Sequence, residues 1–208
     1  MRSVFALFAA LSLLSLPVAA AKPPVFVEKP VTSELIKQLR AGGYVLYLRH
    51  GNTDTSRPDR VPSVDLNDCS TQRPLTGEGV RVVTRVGEAI RKAKIPVGEI
   101  FSSPLCRAKE SAAAAFGANF VIDNSLMYTA NMTSKEKKPV IDKTRALLSA
   151  PVSGTTNRVL VAHAPNLMDL MGYFPKPEGT LVVFRPLGNG GFEYLGNIAP
   201  QQWQEVLR

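Results

Sequence analysis

Both histidines of this chain follow short apolar segments. The segment 45–48 (VLYL) leads directly into Arg49 and His50, and the glycine that follows allows a sharp turn of the backbone. The segment 158–162 (RVLVA) leads in the same way into His163. Open α/β sheets place ligand sites at the carboxyl ends of their strands. Both imidazoles are therefore predicted at such an edge, where a group that titrates near neutral pH can act as a nucleophile or an acid–base catalyst.

A third predicted strand, at 98–102, is followed by a second arginine, Arg107. Ser103 is predicted to cap the next helix with Pro104 in its first turn, which also puts Arg107 near the helix start. Two guanidinium groups converging on a pocket indicate a doubly charged tetrahedral oxyanion, because each planar fork binds two oxygens. The positive end of the helix would favour the same anion.

Each of these residues also has a structural interpretation when taken alone. A single histidine at a strand end is often structural, and Arg107 alone reads as a surface charge. The coincidence of three strand ends with two arginines and both histidines favours a functional site. No metal or cofactor is predicted, because zinc requires more histidine, cysteine or carboxylate ligands at defined spacing.

Strand and helix patterns alternate along the chain and predict one layered α/β domain. The predicted strands are 44–48, 98–102, 120–122, 158–162, 181–184 and 192–195. The predicted helices are one capped by Thr32 or Ser33 and running to about Arg40, one capped by Thr76 and ending near Lys94, and those at 104–116, 139–149 and 201–207. A long polar loop, 52–73, would overhang the end of the first strand, and loops of this length are usually functional or mobile.

Residues 1–21 have the layout of a secretory signal peptide: Arg2, an apolar stretch at 4–16, and small residues before a cleavage point after Ala20 or Ala21. An uncleaved anchor is the alternative, but 13 apolar residues are short for a span of about 20. We therefore expect an exported protein, periplasmic or secreted, with a domain at 22–208 and no stable membrane anchor after cleavage.

The formal net charge is +8, and removing residues 1–21 removes only Arg2 and leaves +7. A basic exported domain favours anionic partners such as phosphorylated small molecules, acidic glycans or phospholipid surfaces. A solubilising surface excess accounts for most of these charges. Nucleic acid is not predicted as a partner, because no long basic run or aromatic–basic interleaving is present.

The chain contains two cysteines, Cys69 and Cys106. An even count in an oxidising compartment favours one disulfide, although two reduced buried thiols would look the same in sequence.

The motif LRHG at 48–51, then SSPLCRA at 102–108, then a later strand ending in His163, resembles the histidine phosphatase superfamily, relatives of phosphoglycerate mutase. The segment LTGEG at 75–79 is similar to the family's usual pattern as well. The resemblance covers most of the chain after residue 21. It implies a three-layer sandwich with a mostly parallel central sheet, and exported relatives include proteins resembling lipopolysaccharide core heptose phosphatases.

The resemblance also implies a role for each central residue. His50 would attack phosphorus to form a phosphohistidine, which water then hydrolyses. Arg49, Arg107 and His163 would surround the phosphoryl group and neutralise its oxygens without a metal or cofactor. His50 must present an unprotonated nitrogen whereas His163 is more useful as a cation, so their environments are expected to separate their pKa values.

Three further residues could lie near the phosphate. Asn52, Asn166 and Arg73 are candidate substrate contacts, although turn or capping roles fit the asparagines equally well and Arg73 could be a solvated charge. Cys106 adjoins Arg107 in the second motif, so a disulfide between Cys69 and Cys106 would tie the long loop to the phosphate site.

The proton donor for the leaving group is left unassigned. One branch of the family uses a glutamate after the arginine-bearing helix, but the comparable stretch 125–129 (SLMYT) has no carboxylate. The other branch has an aspartate after the second histidine, where this chain has Ala164. Asp54, Asp68 and Glu78 are candidates by proximity; alternatively the substrate has a good leaving group, such as a phosphoramidate or an anhydride.

These observations predict a metal-independent phosphomonoesterase of the cell envelope, acting on a phosphorylated small molecule, sugar or glycan. One alternative is a non-catalytic binder of phosphorylated glycan or lipid. A phosphomutase fits less well, because its phosphorylated cofactors are cytoplasmic and its glutamate is missing. The sequence leaves the physiological substrate and the oligomeric state open.

Overall fold

A computed structural model describes residues 25–208. The predicted signal peptide, residues 1–21, and its cleavage point lie outside the described residues. The helices are α1 (Ser33–Leu39), α2 (Gly77–Lys92), α3 (Cys106–Phe116), α4 (Ser134–Ser149), α5 (Ala164–Met171) and α6 (Trp203–Val206). The strands are β1 (Val45–Arg49), β2 (Val97–Ser102), β3 (Val121–Ile122), β4 (Asn157–Ala162), β5 (Leu181–Gly188) and β6 (Gly191–Ile198).

The strands form one mixed sheet in the order β3-β2-β4-β1-β5-β6. The pairs β3–β2, β2–β4 and β4–β1 are parallel, whereas β5 is antiparallel to both β1 and β6. The predicted α/β class with a mostly parallel central sheet is confirmed. In the register, Arg49 of β1 lies opposite Ala162 of β4, and Ser102 of β2 lies opposite Val161. Three adjacent parallel strands therefore end almost level at one edge.

Hydrophobic cores cover both faces of the sheet and create three layers. On one face, Leu46 and Leu48 of β1 pack with side chains of α1, α2 and α3. On the other face, Val45 and Tyr47 pack with side chains of α4 and α5. Because successive strand residues point to opposite faces, a strand covered on both sides has no polar alternation, which is the pattern of residues 45–48.

Local signals explain where most helices begin. Thr32 and Thr76 cap α1 and α2 by accepting hydrogen bonds from backbone N–H groups of the first turn, as the sequence predicts. The helix predicted at 139–149 instead begins at Ser134, because Thr133 and Glu136 form a capping box and Pro139 is accommodated inside the helix.

Other differences from the sequence prediction are at the carboxyl-terminal end. Helix α5, directly after His163, was not predicted because eight residues give too little periodicity. The hairpin β5–β6 is confirmed and extends further than predicted on both strands. The predicted helix at 201–207 is shorter, with a single 3₁₀ turn at 200–202 before α6. Within residues 25–208, none of the helices has the length and apolar character needed to cross a membrane.

Candidate active site

The end of β1 is held against two other segments. Gly179 donates its backbone N–H to the carbonyl of His50 at 2.9 Å. On the opposite side, Gly51 packs against the first turn of α2 so closely that a Cβ there would lie 2.4 Å from the carbonyl oxygen of Gly79. Only glycine allows this approach, so the motif and the following helix form one rigid corner.

His50 is 2% exposed and has a defined orientation. Its Nδ1 lies 2.8 Å from the carbonyl oxygen of Gly51. A carbonyl can only accept, so Nδ1 carries the proton and Nε2 of the neutral ring presents its lone pair. Burial, and then the charge of Arg107, hold the pKa of His50 well below its usual value. The structure therefore presents an unprotonated Nε2 at neutral pH.

His163 faces His50 at a centroid distance of 5.2 Å and is fully buried at the end of β4. Its Nε2 lies 2.8 Å from the hydroxyl of Ser103, and its backbone N–H donates to the hydroxyl of Tyr47. The pKa of His163 is also lowered, by burial and by Arg107. The same burial and the same cation lower the pKa of both rings, so the structure does not favour the cationic form of His163 that was expected.

Ser103 has a different role from the predicted helix cap. Helix α3 begins at Cys106, with Leu105 as its N-cap and no side-chain cap. The buried hydroxyl of Ser103 instead contacts His163, and Pro104 precedes the helix rather than forming its first turn. Sequence reasoning identified this motif correctly but could not foresee that a histidine 60 residues later takes the hydroxyl.

Arg107 is buried at the start of α3 and points into the same pocket. Its Nη1 and Nη2 donate to the two carboxylate oxygens of Asp59, at 2.9 and 3.2 Å. The guanidinium carbon lies 5.1 Å from the ring centroid of Tyr128, whose ring also meets the edge of His163. Burial lowers the pKa of Arg107 and Asp59 opposes that shift, so the side chain remains a cation at neutral pH.

Arg49 is positioned by the segment 173–179 between α5 and β5. Its Nη1 donates to the carbonyl of Pro175 at 2.8 Å, its Nη2 lies 3.3 Å from a carboxylate oxygen of Glu178, and its guanidinium lies over Phe174. These three contacts fix the plane of the guanidinium beside His50.

Glu178 is a site residue that the sequence analysis did not find. Its oxygens accept hydrogen bonds from the backbone N–H and the hydroxyl of Thr53, at 3.2 and 3.0 Å, and one lies 3.9 Å from Nδ1 of His50. It follows His50 by more than a hundred residues and lies in a loop. The usable signal was that its loop directly precedes β5, the strand that pairs with β1.

Several buried donors in this pocket have no acceptor among the described residues. They are Nε of Arg49, Arg73 and Arg107; Nδ1 of His163 also has no partner there, and it is a donor when it carries a proton. A buried donor without a partner costs on the order of 1–3 kcal/mol. Convergent unpaired donors together with the cationic side chains make the pocket complementary to an anion with several acceptor oxygens.

Of the three candidate substrate contacts, Arg73 acts on the histidines through its charge, whereas the contacts of Asn52 and Asn166 are to backbone groups of other segments. Arg73 adds to the positive field that lowers the pKa of both histidines. Asn166 is fully buried on α5, and its amide donates to the carbonyl of Met127, which positions Tyr128. The backbone carbonyl of Asn52 accepts from Thr76 at the start of α2. Asn52 thus has a contact at a helix start, whereas Asn166 links α5 to a segment 39 residues earlier in the chain.

The long polar loop is tied to the start of α3 at three points. Cys69 forms a disulfide with Cys106, with a Cα–Cα distance of 5.7 Å. The side-chain oxygen of Gln72 accepts from the backbone N–H of Cys106 at 2.7 Å. The ion pair between Asp59 and Arg107 is the third tie. The loop therefore packs over the start of α3 and the buried Arg107 instead of extending into solvent.

The three proton-donor candidates named from sequence lie elsewhere. Asp54 is half-buried and Asp68 is exposed, and they accept hydrogen bonds from Ser56 and Ser70 respectively, which lowers the pKa of both carboxyls. Glu78 is exposed on α2 and pairs with two arginines of the same helix. None of these carboxylates is shown in contact with the histidines.

Cavities adjoin the site at the loop. One of about 200 Å³ and another of about 260 Å³ are both lined by Asp59, Tyr128 and Asn131. A larger cavity, of about 540 Å³, lies between α2 and the carboxyl-terminal residues and shares no lining residue with the histidine pocket. In the part of the chain that is described, no group of three or more histidine, cysteine or carboxylate side chains is arranged to hold a metal ion.

Comparison with known proteins agrees with this geometry. Residues 45–130 match the family described as histidine phosphatase superfamily (branch 1). No curated protein sequence matches the chain.

Solved structures show a similar fold at low sequence identity. The protein histidine phosphatase SixA complexed with tungstate is 16% identical, with a TM-score of 0.57 over 76% of this chain and 98% of that one. The alpha-ribazole phosphatase from Shigella flexneri is 12% identical, with a TM-score of 0.54 over 76% and 96%. A phosphoserine phosphatase from Entamoeba histolytica is 15% identical, with a TM-score of 0.53 over 77% and 98%. The chain thus carries the sequence signature of the histidine phosphatase superfamily across residues 45–130, on the fold of these solved structures.

Proposed function

We propose that this protein is a metal-independent phosphatase that hydrolyses a phosphomonoester through a phosphohistidine on His50. The observation that carries the proposal is the convergence of three strand ends, with the rings of His50 and His163 at a centroid distance of 5.2 Å and the charges of Arg107 and Arg49 both acting on His50. The superfamily signature supports the same reaction class, and the structures with the same fold are named as phosphatases.

The geometry supports a two-step mechanism. In the first step, Nε2 of His50 attacks phosphorus in line with the leaving oxygen, and the phosphoryl group is transferred to the ring. In the second step, water attacks the phosphohistidine and releases phosphate. The hydrogen bond from Nδ1 to Gly51 keeps the ring oriented in both steps.

Charge in the transition state is stabilised by fixed donors. Arg49 and Arg107 face the pocket as permanent cations, and the unpartnered Nδ1 of His163 is a further donor once the ring is protonated. Binding of a phosphate dianion would favour the protonated form of His163, which offsets the lowering that burial causes in the empty pocket. Removing one such group is expected to cost about 3 kcal/mol, roughly a hundredfold in rate.

We further propose that the protein is exported and acts in the cell envelope on a phosphorylated sugar or glycan. The support is the leader-like residues 1–21, the basic net charge and the resemblance to heptose phosphatases of the lipopolysaccharide core. The solved relatives broaden the set of substrates to compare, since their names refer to protein phosphohistidine, alpha-ribazole phosphate and phosphoserine.

The experiment is a phosphatase screen of the purified mature protein against p-nitrophenyl phosphate, sugar phosphates, lipid phosphates, nucleotides and phosphohistidine peptides. His50→Ala should abolish phosphate release from every substrate that the wild type hydrolyses. Arg81→Ala, which removes an exposed cation from α2, is the matched control and should retain activity. Full activity of His50→Ala would refute the mechanism, and binding of phosphoglycans without any turnover would favour a non-catalytic binder.

A further inference from the structure

Asp59 makes a contact that the mechanism above does not use. Both of its carboxylate oxygens are held by the two terminal nitrogens of Arg107, and its Oδ1 also accepts from the backbone N–H of Arg73 at 2.8 Å. A carboxylate held by a guanidinium fork presents two oxygens at the spacing at which phosphate oxygens bind. Asp59 therefore occupies the Nη1–Nη2 edge of Arg107, an edge that could also bind a phosphoryl group, while Nε of Arg107 has no partner among the described residues.

The burial of the site makes this contact consequential. His163 and Arg107 are 0% exposed and His50 is 2% exposed, so the phosphoryl group cannot reach them without displacing what covers them. The Asp59 carboxylate covers Arg107. Asp59 also lines two cavities beside the loop. A phosphoryl group that reaches Arg107 therefore lies beside the Asp59 carboxylate and competes with it for the same guanidinium.

We propose that Asp59 is the proton donor to the leaving group. When a phosphoryl dianion displaces it from Arg107, the carboxylate loses its cationic partner and gains a negatively charged neighbour. Both changes favour its protonated form. A carboxyl group that is paired in the resting enzyme and protonated beside the bound substrate has the properties of a general acid. This inference rests on the proposed phosphatase function.

The proton transfers balance over the cycle. In the first step the bond between phosphorus and Nε2 of His50 forms, the bond between phosphorus and the leaving oxygen breaks, and the Asp59 proton passes to that oxygen. In the second step water attacks phosphorus, the phosphorus–nitrogen bond breaks, and the Asp59 carboxylate accepts the proton of the water. The carboxylate takes up one proton from solvent when the substrate binds, and it returns that proton to solvent when phosphate leaves and the ion pair with Arg107 forms again.

Position separates Asp59 from Glu178, the other carboxylate of the site. Glu178 lies on the Nδ1 side of His50, 3.9 Å from that nitrogen, whereas the nucleophile is Nε2. In-line transfer places the leaving group on the far side of phosphorus from Nε2. Glu178 is therefore behind the nucleophile, where it positions Arg49 and Thr53.

Asp59, in contrast, lines the space available to a leaving group. It borders both cavities that open beside Tyr128 and Asn131, of about 200 and 260 Å³. Glu136 lines the smaller of these cavities as well, but its carboxylate accepts from both the hydroxyl and the backbone N–H of Thr133 at the start of α4. Asp59 is the carboxylate that lines these cavities and also contacts a phosphate-binding side chain.

The loop holds Asp59 close after it leaves Arg107. Its neighbour Arg60 donates its backbone N–H to the carbonyl of Thr71 at 2.9 Å. Two residues before Thr71, the Cys69–Cys106 disulfide joins the loop to α3. These ties do not involve the carboxylate, so Asp59 can rotate away from the guanidinium without release of the loop.

The test is the dependence of kcat/KM on the leaving group, because protonation matters more for poor leaving groups. The full-length mature protein is assayed with p-nitrophenyl phosphate, phenyl phosphate and an alkyl phosphate, in the wild type and in Asp59→Asn. We expect Asp59→Asn to lower the ratio of the alkyl to the p-nitrophenyl rate by about a hundredfold or more. Asp59→Glu should restore part of that ratio, since it returns an ionisable carboxyl group.

Asp54→Asn is the matched control, because Asp54 lies on the same loop and its carboxylate accepts from Ser56. It should leave the ratio unchanged. An equal loss by Asp59→Asn on all three substrates would overturn the proposal and assign Asp59 a structural role. A changed ratio in Asp54→Asn would overturn it as well, by identifying the wrong aspartate.

The wild type keeps the proposal testable if Asp59→Asn does not fold. A general acid predicts that wild-type rates fall only modestly from the aryl to the alkyl ester, whereas failure to hydrolyse the alkyl ester at all would exclude a working donor. These results are separable from the proposed function: activity of His50→Ala refutes the phosphohistidine mechanism, while the leaving-group series bears on Asp59 alone.

Discussion

Replacing both bridged cysteines, in the Cys69→Ser/Cys106→Ser variant, should lower the free energy of unfolding by about 4 kcal/mol. The bridge joins residues 37 positions apart and so restricts a large segment of the unfolded chain. The chain-entropy relation for a loop of this length gives about 4 kcal/mol at 25 °C. In the folded protein, Gln72 still ties the loop to the backbone of α3, so most of the change falls on the unfolded state.

The assay is equilibrium urea unfolding of three samples: oxidised wild type, wild type in reductant, and the double-serine variant. Because Cys69 lies in an exposed part of the loop, reductant should reach the bridge and bring the wild type close to the variant. The variant itself should not respond to reductant, which serves as the control. Intact mass should rise by two protons when the wild type is reduced.

Two results would refute this reasoning. Absence of the mass change would mean that the bridge does not form. A variant within about 1 kcal/mol of the oxidised wild type would mean that the loop is already restricted in the unfolded chain or that the bridge strains the fold.

Three further perturbations test other parts of the structure. Burial lowers the pKa of both active-site histidines below 6.5, so the unfolded chain binds more protons than the folded chain at acid pH. The free energy of unfolding should therefore decrease below pH 6.5, by up to about 1.4 kcal/mol per pH unit for each histidine. Urea titrations at several pH values measure this decrease. A pH-independent stability between pH 5 and 7 would contradict the burial of neutral rings. Gly51→Ala places a Cβ 2.4 Å from the Gly79 carbonyl oxygen and should destabilise the fold by about 1–3 kcal/mol in thermal unfolding, whereas Gly77→Ala, with only the end of a flexible side chain nearby, should not. Equal melting temperatures for the two variants would argue against the close approach. Glu178→Gln removes the charge opposite Arg49 and should lower kcat/KM roughly tenfold, because the guanidinium is then misplaced. Glu178→Asp keeps the charge and should cause a smaller loss. Unchanged kinetics would show that Glu178 does not position Arg49.

The sequence predicts the parts of the site that follow directly from strands. His50, Arg49 and His163 are next to continuous apolar runs, and parallel strands bring their carboxyl ends to one edge. The distinctive spacing of the second motif likewise identifies Arg107. These residues are predictable because each one follows a strand that its local sequence identifies, and a parallel sheet then brings the strand ends together.

The residues that complete the site come from loops, and local sequence does not locate them. Asp59 is one of several aspartates in the long loop, and nothing in the sequence indicates which carboxylate faces Arg107. Glu178 and Tyr128 reach the pocket only because of sheet order and helix packing. The histidine pKa values were mispredicted for the same reason, since both depend on burial beneath that loop.

We propose that His50 carries the phosphoryl group during turnover. Trapping the phosphorylated enzyme tests this most directly. The enzyme is mixed with a substrate from the screen, quenched rapidly in base and analysed by peptide mass spectrometry. The account predicts one phosphoryl group on the peptide that contains His50, labile to acid and absent from His50→Ala. Turnover with no phosphorylated peptide, or a phosphoryl group on His163 instead, would contradict it.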